Sequence, residues 1–199
     1  KKKFKVIPYY GGNGISQNLN LCYLLGQRFG LTQEQVRQGI SKYKPSKQRL
    51  NLIKCNGGVN IIDDTYNANP DGVKYALEYL RGFQGRKLCV LGDMLELGSL
   101  EETAHAEILD QAIQIGDIII LIGERFARIA SKKQQENLYL FSDVYDAKEN
   151  IHAVFTPSFG DCILLKGSAS IRLEKIAEDL IDSSISAKNT LVRQEKRWK

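Results

Sequence analysis

Three short polar segments carry most of the side chains in this sequence that could bind a small ligand. They span residues 63–70 (DDTYNANP), 92–98 (GDMLELG) and 166–170 (KGSAS). Each follows a run of apolar residues, which is typical of a buried strand. The segments offer carboxylates, amides, hydroxyls and one lysine, and helices are predicted close behind them. Because helix N-termini and such polar groups bind charged ligands, the pattern indicates a site for a polar, partly anionic small molecule.

Several of these residues also have a purely structural interpretation. Asp63 and Asp64 are residue types that commonly end a strand, and Asn69 before Pro70 is the usual pattern of a helix N-cap. Lys166 is harder to explain in this way, because an apolar strand delivers its charge directly to the edge where a ligand would bind. The sequence therefore favours a ligand role most strongly for Lys166.

The hydrophobic pattern beyond residue 50 predicts strands that alternate with helices. Strands are predicted at 50–55, 59–63, 88–91, 117–122, 138–141 and 162–165, and helices at 69–80, 99–116, 125–131, 144–155 and 173–180. This order predicts an α/β, doubly wound, mostly parallel sheet of about six strands with helices on both faces and an antiparallel first hairpin. Since ligands bind at the carboxyl ends of such strands, the three polar segments are expected to converge there.

Residues 1–46 have a different pattern. Ser16 is placed to cap a helix that stops at Gly30, and Thr32 with Gln35 predicts a capping box for a second helix, which ends before Pro45. Two helices of this size cannot form a core alone, so we expect a helical remnant of a second domain. The chain begins with Lys rather than Met, and we therefore expect it to be a piece of a longer protein. Residues 183–199 are expected to be a polar basic tail, frayed or helical.

Composition excludes several classes of function. The 199 residues carry 28 Lys plus Arg and 23 Asp plus Glu, and most of the net charge of +5 lies at the two ends, so no nucleic-acid binding is expected. No apolar run approaches about 18 residues, so no membrane insertion is expected. The cysteines at 22, 55, 89 and 162 form no CxxC pair and are expected to be buried free thiols, with no metal site. His105 and His152 are expected to be surface or core residues rather than ligands.

The three polar segments together resemble the carboxy-terminal domain of the Mur ligase family, and the resemblance covers about residues 10–182. The motifs agree in order, with Thr65 in place of Ser in the first, and the GDMLELG run matches without change. The resemblance implies a cytoplasmic, monomeric, ATP-dependent amide ligase of peptidoglycan precursor synthesis. Within the family it points to the branch that adds D-alanyl-D-alanine to UDP-N-acetylmuramoyl-tripeptide. It implies that residues 1–46 end a central ATP-binding domain and that 47–182 form the closing domain.

The resemblance also implies roles for individual residues. ATP would phosphorylate the tripeptide carboxylate, and the dipeptide amine would attack the acyl phosphate. Arg49 resembles an arginine that reaches ATP, and Asp64 resembles an aspartate that accepts hydrogen bonds from ribose hydroxyls. The implied ATP-binding residues are Asn18, Arg49, Asp64 and Tyr66, and the implied substrate-binding residues are Asn67, Asn69, Asp93, Leu97, Gly98, Lys166 and Ser168. ATP and Mg²⁺ would be held mainly by the central domain, so this chain has no complete catalytic set.

Two departures from the family pattern leave alternatives open. Gly14 and Ile15 replace a His and an Asn that lie near the adenine, and the chain has no GxxxxGK phosphate loop. We therefore expect the isolated chain to be inactive in ligation. One alternative is a non-catalytic binding module with the same fold. Another is a receiver-like signalling domain, which would use Asp63, Asp64 and Lys166, although Gly123 stands where that fold places its phosphoacceptor Asp.

Overall fold

The computed structural model describes residues 13–43, 46–181 and 185–193, with the backbone alone for 13–17. The chain divides into two compact units, Lys1–Pro45 and Ser46–Lys199. The basic residues 1–5 and the far end of the basic tail, 194–199, lie outside the described residues, as does the side chain of Ile15, and Gly14 is described by its backbone position alone. In the part of the chain that is described, no helix is both long and apolar enough to cross a bilayer.

The first unit contains two helices, α1 (Asn13–Arg28) and α2 (Gln33–Ser41). The predicted capping box of α2 is confirmed, because the Gln35 amide donates to Thr32 Oγ1 and the Thr32 amide donates to Gln35 Oε1. Gly30 follows α1 with a φ of +78°, as expected of a residue that ends a helix. The predicted start of α1 is wrong, since the helix already begins at Asn13 and its backbone passes through Gly14 and Ser16.

The second unit contains a six-stranded sheet and six further helices among its described residues. The strands are β1 (Asn51–Lys54), β2 (Asn60–Asp64), β3 (Lys87–Gly92), β4 (Ile118–Ile122), β5 (Leu138–Phe141) and β6 (Cys162–Lys166). The helices are α3 (Pro70–Arg81), α4 (Glu101–Ile115), α5 (Glu124–Ala130), α6 (Val144–Val154), α7 (Glu174–Leu180) and α8 (Ala187–Thr190). The strand order is β1-β2-β6-β3-β4-β5, with β1 antiparallel to β2 and all other pairs parallel, which confirms the predicted fold class.

The central strands are apolar throughout because helices cover both faces of the sheet. Helices α3, α4 and α5 pack on one face, against side chains such as Ile62 and Leu164, and α6 and α7 pack on the other, against Ile61 and Ile163. Successive side chains of a strand point to opposite faces. At the ends of β2 and β6, Asp64 and Lys166 therefore lie on the α3 face, whereas Asp63 lies on the α7 face.

Two local sequence predictions are wrong. The expected capping box of Ser99 and Glu102 does not form, because a 3-10 turn at Gly98–Leu100 precedes α4 and the Glu102 carboxylate instead pairs with Lys132 Nζ at 2.9 Å. Cys22 is exposed rather than buried, while the other three cysteines are buried free thiols as predicted.

The described part of the C-terminal segment, residues 185–193, packs against the rest of the second unit and includes the short helix α8. Leu191 is only 1% exposed and belongs to the core on the α7 face. Arg193 Nη1 lies 3.2 Å from Glu174 Oε2 and donates to the Ala169 carbonyl at 3.3 Å. The sequence left open whether this segment is frayed or helical. Residues 185–193 include a short helix and pack on the core, so they are not frayed.

We predict that Leu191→Ala lowers the free energy of unfolding by about 2–4 kcal/mol, because it removes a buried side chain from a packed core. Urea unfolding of the 199-residue chain measures this change. Val192→Ala is the matched control, since Val192 is partly exposed, and it should cost clearly less. Equal effects of the two substitutions would show that the segment does not dock.

Candidate functional site

The three polar segments lie side by side at one edge of the sheet. They follow β2, β3 and β6, and β6 lies between the other two strands. All three strands run parallel, so their carboxyl ends meet at the same edge. The predicted convergence of the three segments is therefore confirmed.

A buried ion pair occupies the centre of this edge. Asp64 and Lys166 are register partners on β2 and β6, and Lys166 Nζ lies 2.7 Å from Asp64 Oδ2. The two side chains are only 12% and 5% exposed. Lys166 Nζ also donates to the Asn67 carbonyl at 2.9 Å, so these contacts engage two of its three N–H groups. The pair fixes the lysine ammonium between the segment after β2 and the segment after β6.

The charge state of Asp64 depends on these contacts. Burial raises the pKa of its carboxyl above the usual range, and the Lys166 ammonium and the Leu50 amide, which donates to Oδ1 at 3.0 Å, oppose that rise. Each contact compensates part of the cost of burying the charge. Asp64 is thus a carboxylate that its neighbours hold in place at the end of a strand.

Arg49 and Tyr66 lie beside Asp64. The Arg49 guanidinium carbon is 4.1 Å from the centroid of the Tyr66 ring, a cation–π contact between two exposed side chains. The Tyr66 amide donates to the Gln48 carbonyl at 3.2 Å, which aligns the segment before β1 with the end of β2. The structure therefore brings together three of the four predicted ATP-binding residues. The fourth, Asn18, is exposed on α1 of the other unit.

The predicted substrate-binding residues have several different environments. Asn69 caps α3 through Oδ1, which accepts from the Gly72 amide at 2.7 Å, and Asn67 is exposed beside it. Ser168 is buried, and its Oγ accepts from the Leu95 amide at 2.9 Å, which ties the segment after β6 to the segment after β3. Leu97 is partly buried and Gly98 is exposed.

Asp93 points away from the other predicted residues. Its carboxylate is 2% exposed and accepts from the amides of Arg125 and Phe126, both at 3.0 Å, so it caps the first turn of α5. Gly123 makes this contact possible, because a Cβ at that position would lie 2.4 Å from Asp93 Oδ2. The substrate role of Asp93 stays a prediction, and the contacts of its side chain are those of a structural group.

Two buried residues that the sequence analysis did not assign to the site hold its loops. His105 contacts the Met94 amide, and Glu174 pairs with Arg172 and Arg193 next to the turn at Ala169–Ile171. The only sequence feature that indicates a structural role for Glu174 is its place among the apolar positions of α7. Among the described residues, no three or more His, Cys, Asp or Glu side chains are arranged to hold a metal ion.

Asp63 is a second buried carboxyl group, on the α7 face. Its Oδ1 accepts from Thr65 Oγ1 at 2.7 Å, whereas Oδ2 has no hydrogen-bond partner among the described residues. Burial raises the pKa of Asp63 from 3.8 to about 6, against the opposing effect of the Thr65 hydrogen bonds. The folded chain therefore disfavours the ionised form of Asp63, and ionisation of this carboxyl lowers the free energy of unfolding.

Comparison with known protein families identifies a match over most of the second unit. Residues 48–169 match the model of the Mur ligase, glutamate ligase domain. The UDP-N-acetylmuramoyl-tripeptide–D-alanyl-D-alanine ligase of Bacillus subtilis is 37% identical over 192 residues, which cover 90% of this chain and 40% of that protein. A ligase of the same name from Borreliella burgdorferi is 31% identical over 164 residues, 79% of this chain and 34% of that protein. The chain thus spans between about a third and two fifths of the length of these relatives.

Solved structures show the same fold. The crystal structure of MurF ligase from Thermotoga maritima in complex with ADP has a TM-score of 0.71 and 25% identity, covering 85% of this chain and 38% of that one. A crystal structure of MurF from Acinetobacter baumannii has a TM-score of 0.74 and 30% identity over the same shares. Both likenesses extend beyond the residues that the family model matches.

We predict that Lys166→Met lowers the free energy of unfolding by about 3–5 kcal/mol, because it leaves the Asp64 charge buried without its partner. The double variant Asp64→Asn/Lys166→Met should recover much of this loss, since neither charge remains. Urea unfolding of the 199-residue chain at pH 7 measures both. Asp64→Asn alone completes the comparison, and a double variant whose loss of stability equals the sum of the losses in Lys166→Met and Asp64→Asn would contradict the ion pair.

We predict that Asp63→Asn changes how stability depends on pH. In the folded chain Asp63 stays protonated up to a pKa of about 6, whereas in the unfolded chain it ionises near 3.8, so the native protein loses stability between these values as pH rises. Between pH 3.5 and 7 the free energy of unfolding of the native chain should fall, relative to Asp63→Asn, by about 3 kcal/mol. Parallel profiles from urea unfolding at several pH values would contradict this pKa.

Proposed function

Since residues 48–169 make this chain a member of the Mur ligase family, we propose that it is the closing portion of an ATP-dependent ligase that joins D-alanyl-D-alanine to UDP-N-acetylmuramoyl-tripeptide. The proposal rests on one observation above all. Arg49, Asp64 and Tyr66, which suit a nucleotide, lie at the same sheet edge as Lys166 and Ser168, which suit a peptide carboxylate. The names of the relatives support this choice of substrates.

We further propose that residues 1–46 are the end of the central ATP-binding domain with its linker, that 47–182 form the closing domain, and that 183–199 are its tail. The division of the chain into two compact units supports this boundary, as does the short share of the relatives that the chain spans. The protein is proposed to be cytoplasmic, because buried free thiols suit a reducing compartment and the proposed substrates are nucleotide-linked precursors. A monomer is proposed from the resemblance to the family alone.

The residues beside β2 fit the nucleotide. A planar guanidinium that is exposed and stacked on Tyr66 can form paired hydrogen bonds with phosphate oxygens. The Asp64 carboxylate is held by Lys166 and the Leu50 amide, and its oxygens retain lone pairs that can accept from ribose hydroxyls. The crystal structure of the Thermotoga maritima relative in complex with ADP supports a nucleotide as the ligand, and the residues that contact it here are our proposal. Asn18 completes the proposed set.

The residues beside β6 and β3 fit the peptide end. Lys166 provides a positive charge, and its contacts with Asp64 and the Asn67 carbonyl fix the position of the ammonium group. The side chain can therefore attract a carboxylate without changing its conformation. Asn67, Asn69, Ser168 and the turn at Leu97 and Gly98 are proposed to line the dipeptide and tripeptide, together with the more distant Asp93. These residues orient the reacting groups and exclude water from them.

ATP supplies the phosphoryl group that activates the tripeptide carboxylate for attack by the dipeptide amine, with phosphate as the leaving group. Mg²⁺ is proposed to be held mainly by the central domain, as the resemblance to the family implies. The receiver-like and non-catalytic alternatives are not favoured, since the named relatives are ligases. The altered Gly14 and Ile15 remain a reason to measure nucleotide affinity directly.

We predict that Arg49→Ala in the full-length protein lowers kcat/KM for ATP by about 10²-fold, because it removes a preorganised charge from the phosphates. Phosphate release that depends on both the UDP-linked tripeptide and D-alanyl-D-alanine is the measurement. Arg81→Ala is the control, since Arg81 forms only a surface pair with Glu78 and its loss should leave the rate unchanged.

The isolated 199-residue chain is expected to give no ATP-dependent addition of the dipeptide in the same assay. Release of phosphate by the full-length protein that is independent of the dipeptide would overturn the proposed function, as would the absence of any tripeptide-dependent activity.

A further inference from the structure

Beyond Asp93, side chains rather than the sheet accept the amide hydrogen bonds of the segment after β3. Once β3 ends at Gly92, the Asp93 amide still donates to the Ile122 carbonyl at 3.0 Å. The next two amides have side-chain acceptors, because Met94 donates to His105 Nε2 at 3.0 Å and Leu95 donates to Ser168 Oγ at 2.9 Å. Two consecutive amides, that of the buried Met94 and that of the partly buried Leu95, thus depend on two side chains from distant parts of the sequence.

The same segment contains backbone conformations that need support. Glu96 and Gly98 have φ values of +63° and +54°. A non-glycine residue in the left-handed region costs free energy, and it persists only where its surroundings determine the conformation. Met94 is fully buried, so its anchor fixes the start of the turn that leads to Glu96. A loss of the Met94 anchor would therefore release the turn at residues 96–98.

Burial and neighbouring groups hold the His105 ring in the orientation that this contact requires. The residue is fully buried in α4, and its ring meets Phe126 edge to face with the centroids 4.6 Å apart. His105 Nδ1 lies 2.7 Å from the Glu101 carbonyl, which can only accept, so Nδ1 carries the proton. Nε2 accepts from the Met94 amide and carries none. The two partners thus assign a neutral ring with a single tautomer.

Other groups around His105 have their own partners. Asp93 Oδ1 lies 3.9 Å from His105 Nε2, beyond hydrogen-bond distance, and accepts from the Phe126 amide instead. Arg125 Nε donates to Glu101 Oε2 at 2.6 Å. These contacts join the first turn of α4 to α5, and through His105 they reach the segment after β3.

We propose that His105 is a positioning residue for the peptide-binding loop, residues 93–98, and that it acts by accepting a hydrogen bond from the Met94 amide. The inference rests on the proposed function, in which this loop and Ser168 line the peptide substrates. His105 touches neither substrate nor nucleotide in this arrangement. It holds the Met94 amide so that Leu95 can bond to Ser168 and the turn at Leu97 and Gly98 keeps its place.

Two substitutions separate the contact with the loop from the contact with the helix. In His105→Gln, the side-chain oxygen reaches about as far as Nε2 and can still accept from the Met94 amide. In His105→Asn, the shorter amide can still donate to the Glu101 carbonyl but does not reach Met94. Both variants lose the aromatic ring and its contact with Phe126, and His105→Asn lacks one further methylene. An amide far from the loop is therefore needed as the control for a general loss of packing.

Amide hydrogen exchange of the 199-residue chain tests the positioning itself. In His105→Asn the Met94 and Leu95 amides should exchange about tenfold faster than in His105→Gln, while the Ile120 amide of β4 exchanges equally in both. The ¹⁵N shifts of the His105 ring in the native chain should show a protonated Nδ1 and an unprotonated Nε2. Equal exchange in the two variants, or a proton on Nε2, overturns the proposal.

Steady-state kinetics of the full-length protein test the consequence for substrate binding. KM for D-alanyl-D-alanine should be about tenfold higher in His105→Asn than in His105→Gln, with KM for ATP within twofold in the two variants. A general loss of folded protein would not raise KM for the dipeptide while leaving KM for ATP unchanged. Equal values of KM for the dipeptide overturn the proposal. A native protein without ligase activity overturns the proposed function instead, and the exchange measurement then judges His105 independently.

Discussion

The buried ion pair between Asp64 and Lys166 is the constraint on which the rest of the site depends. Each residue ends a strand that lies in the middle of the sheet, and a charge at such a position is costly unless an opposite charge meets it. Because the two residues are register partners on neighbouring strands, each charge lies next to the opposite charge that compensates it. It also fixes where the segments after β2 and β6 leave the sheet, and these segments carry the groups that suit a nucleotide and a peptide.

The loops around this pair obtain their order from side chains of distant elements. Beyond the end of a strand, backbone amides lose their partners in the sheet and require other acceptors when they are buried. Ser168, His105 and the Asp93 carboxylate provide these acceptors for the amides of Leu95, Met94 and the first turn of α5. Polar residues of one segment therefore hold the neighbouring segments in place, and residue type alone does not distinguish this use from ligand binding.

The arrangement also explains why the proposed ligase would divide its substrates along the sheet edge. The proposed nucleotide residues Arg49 and Tyr66 lie before β1 and after β2. Of the proposed peptide residues, Lys166 and Ser168 lie at the end of β6 and Leu97 and Gly98 follow β3, while Asn67 and Asn69 follow β2. Lys166 lies between the two groups with its charge held by Asp64. An activated carboxylate and the phosphate that activates it would meet at this boundary, which is where a fixed positive charge is most effective.

The sequence by itself determined the alternation of strands and helices, the antiparallel first hairpin and the three polar segments, because hydrophobic period, turn residues and caps such as Asn69 are local signals. Only the tertiary structure decided which polar groups are bonded within the fold and which stay exposed at the sheet edge. Asp93 turns to α5, His105 reaches Met94, and Leu191 and Arg193 dock a segment that looked like a polar tail. These contacts join residues far apart in the chain, so their geometry depends on strand order and register, which no local pattern encodes.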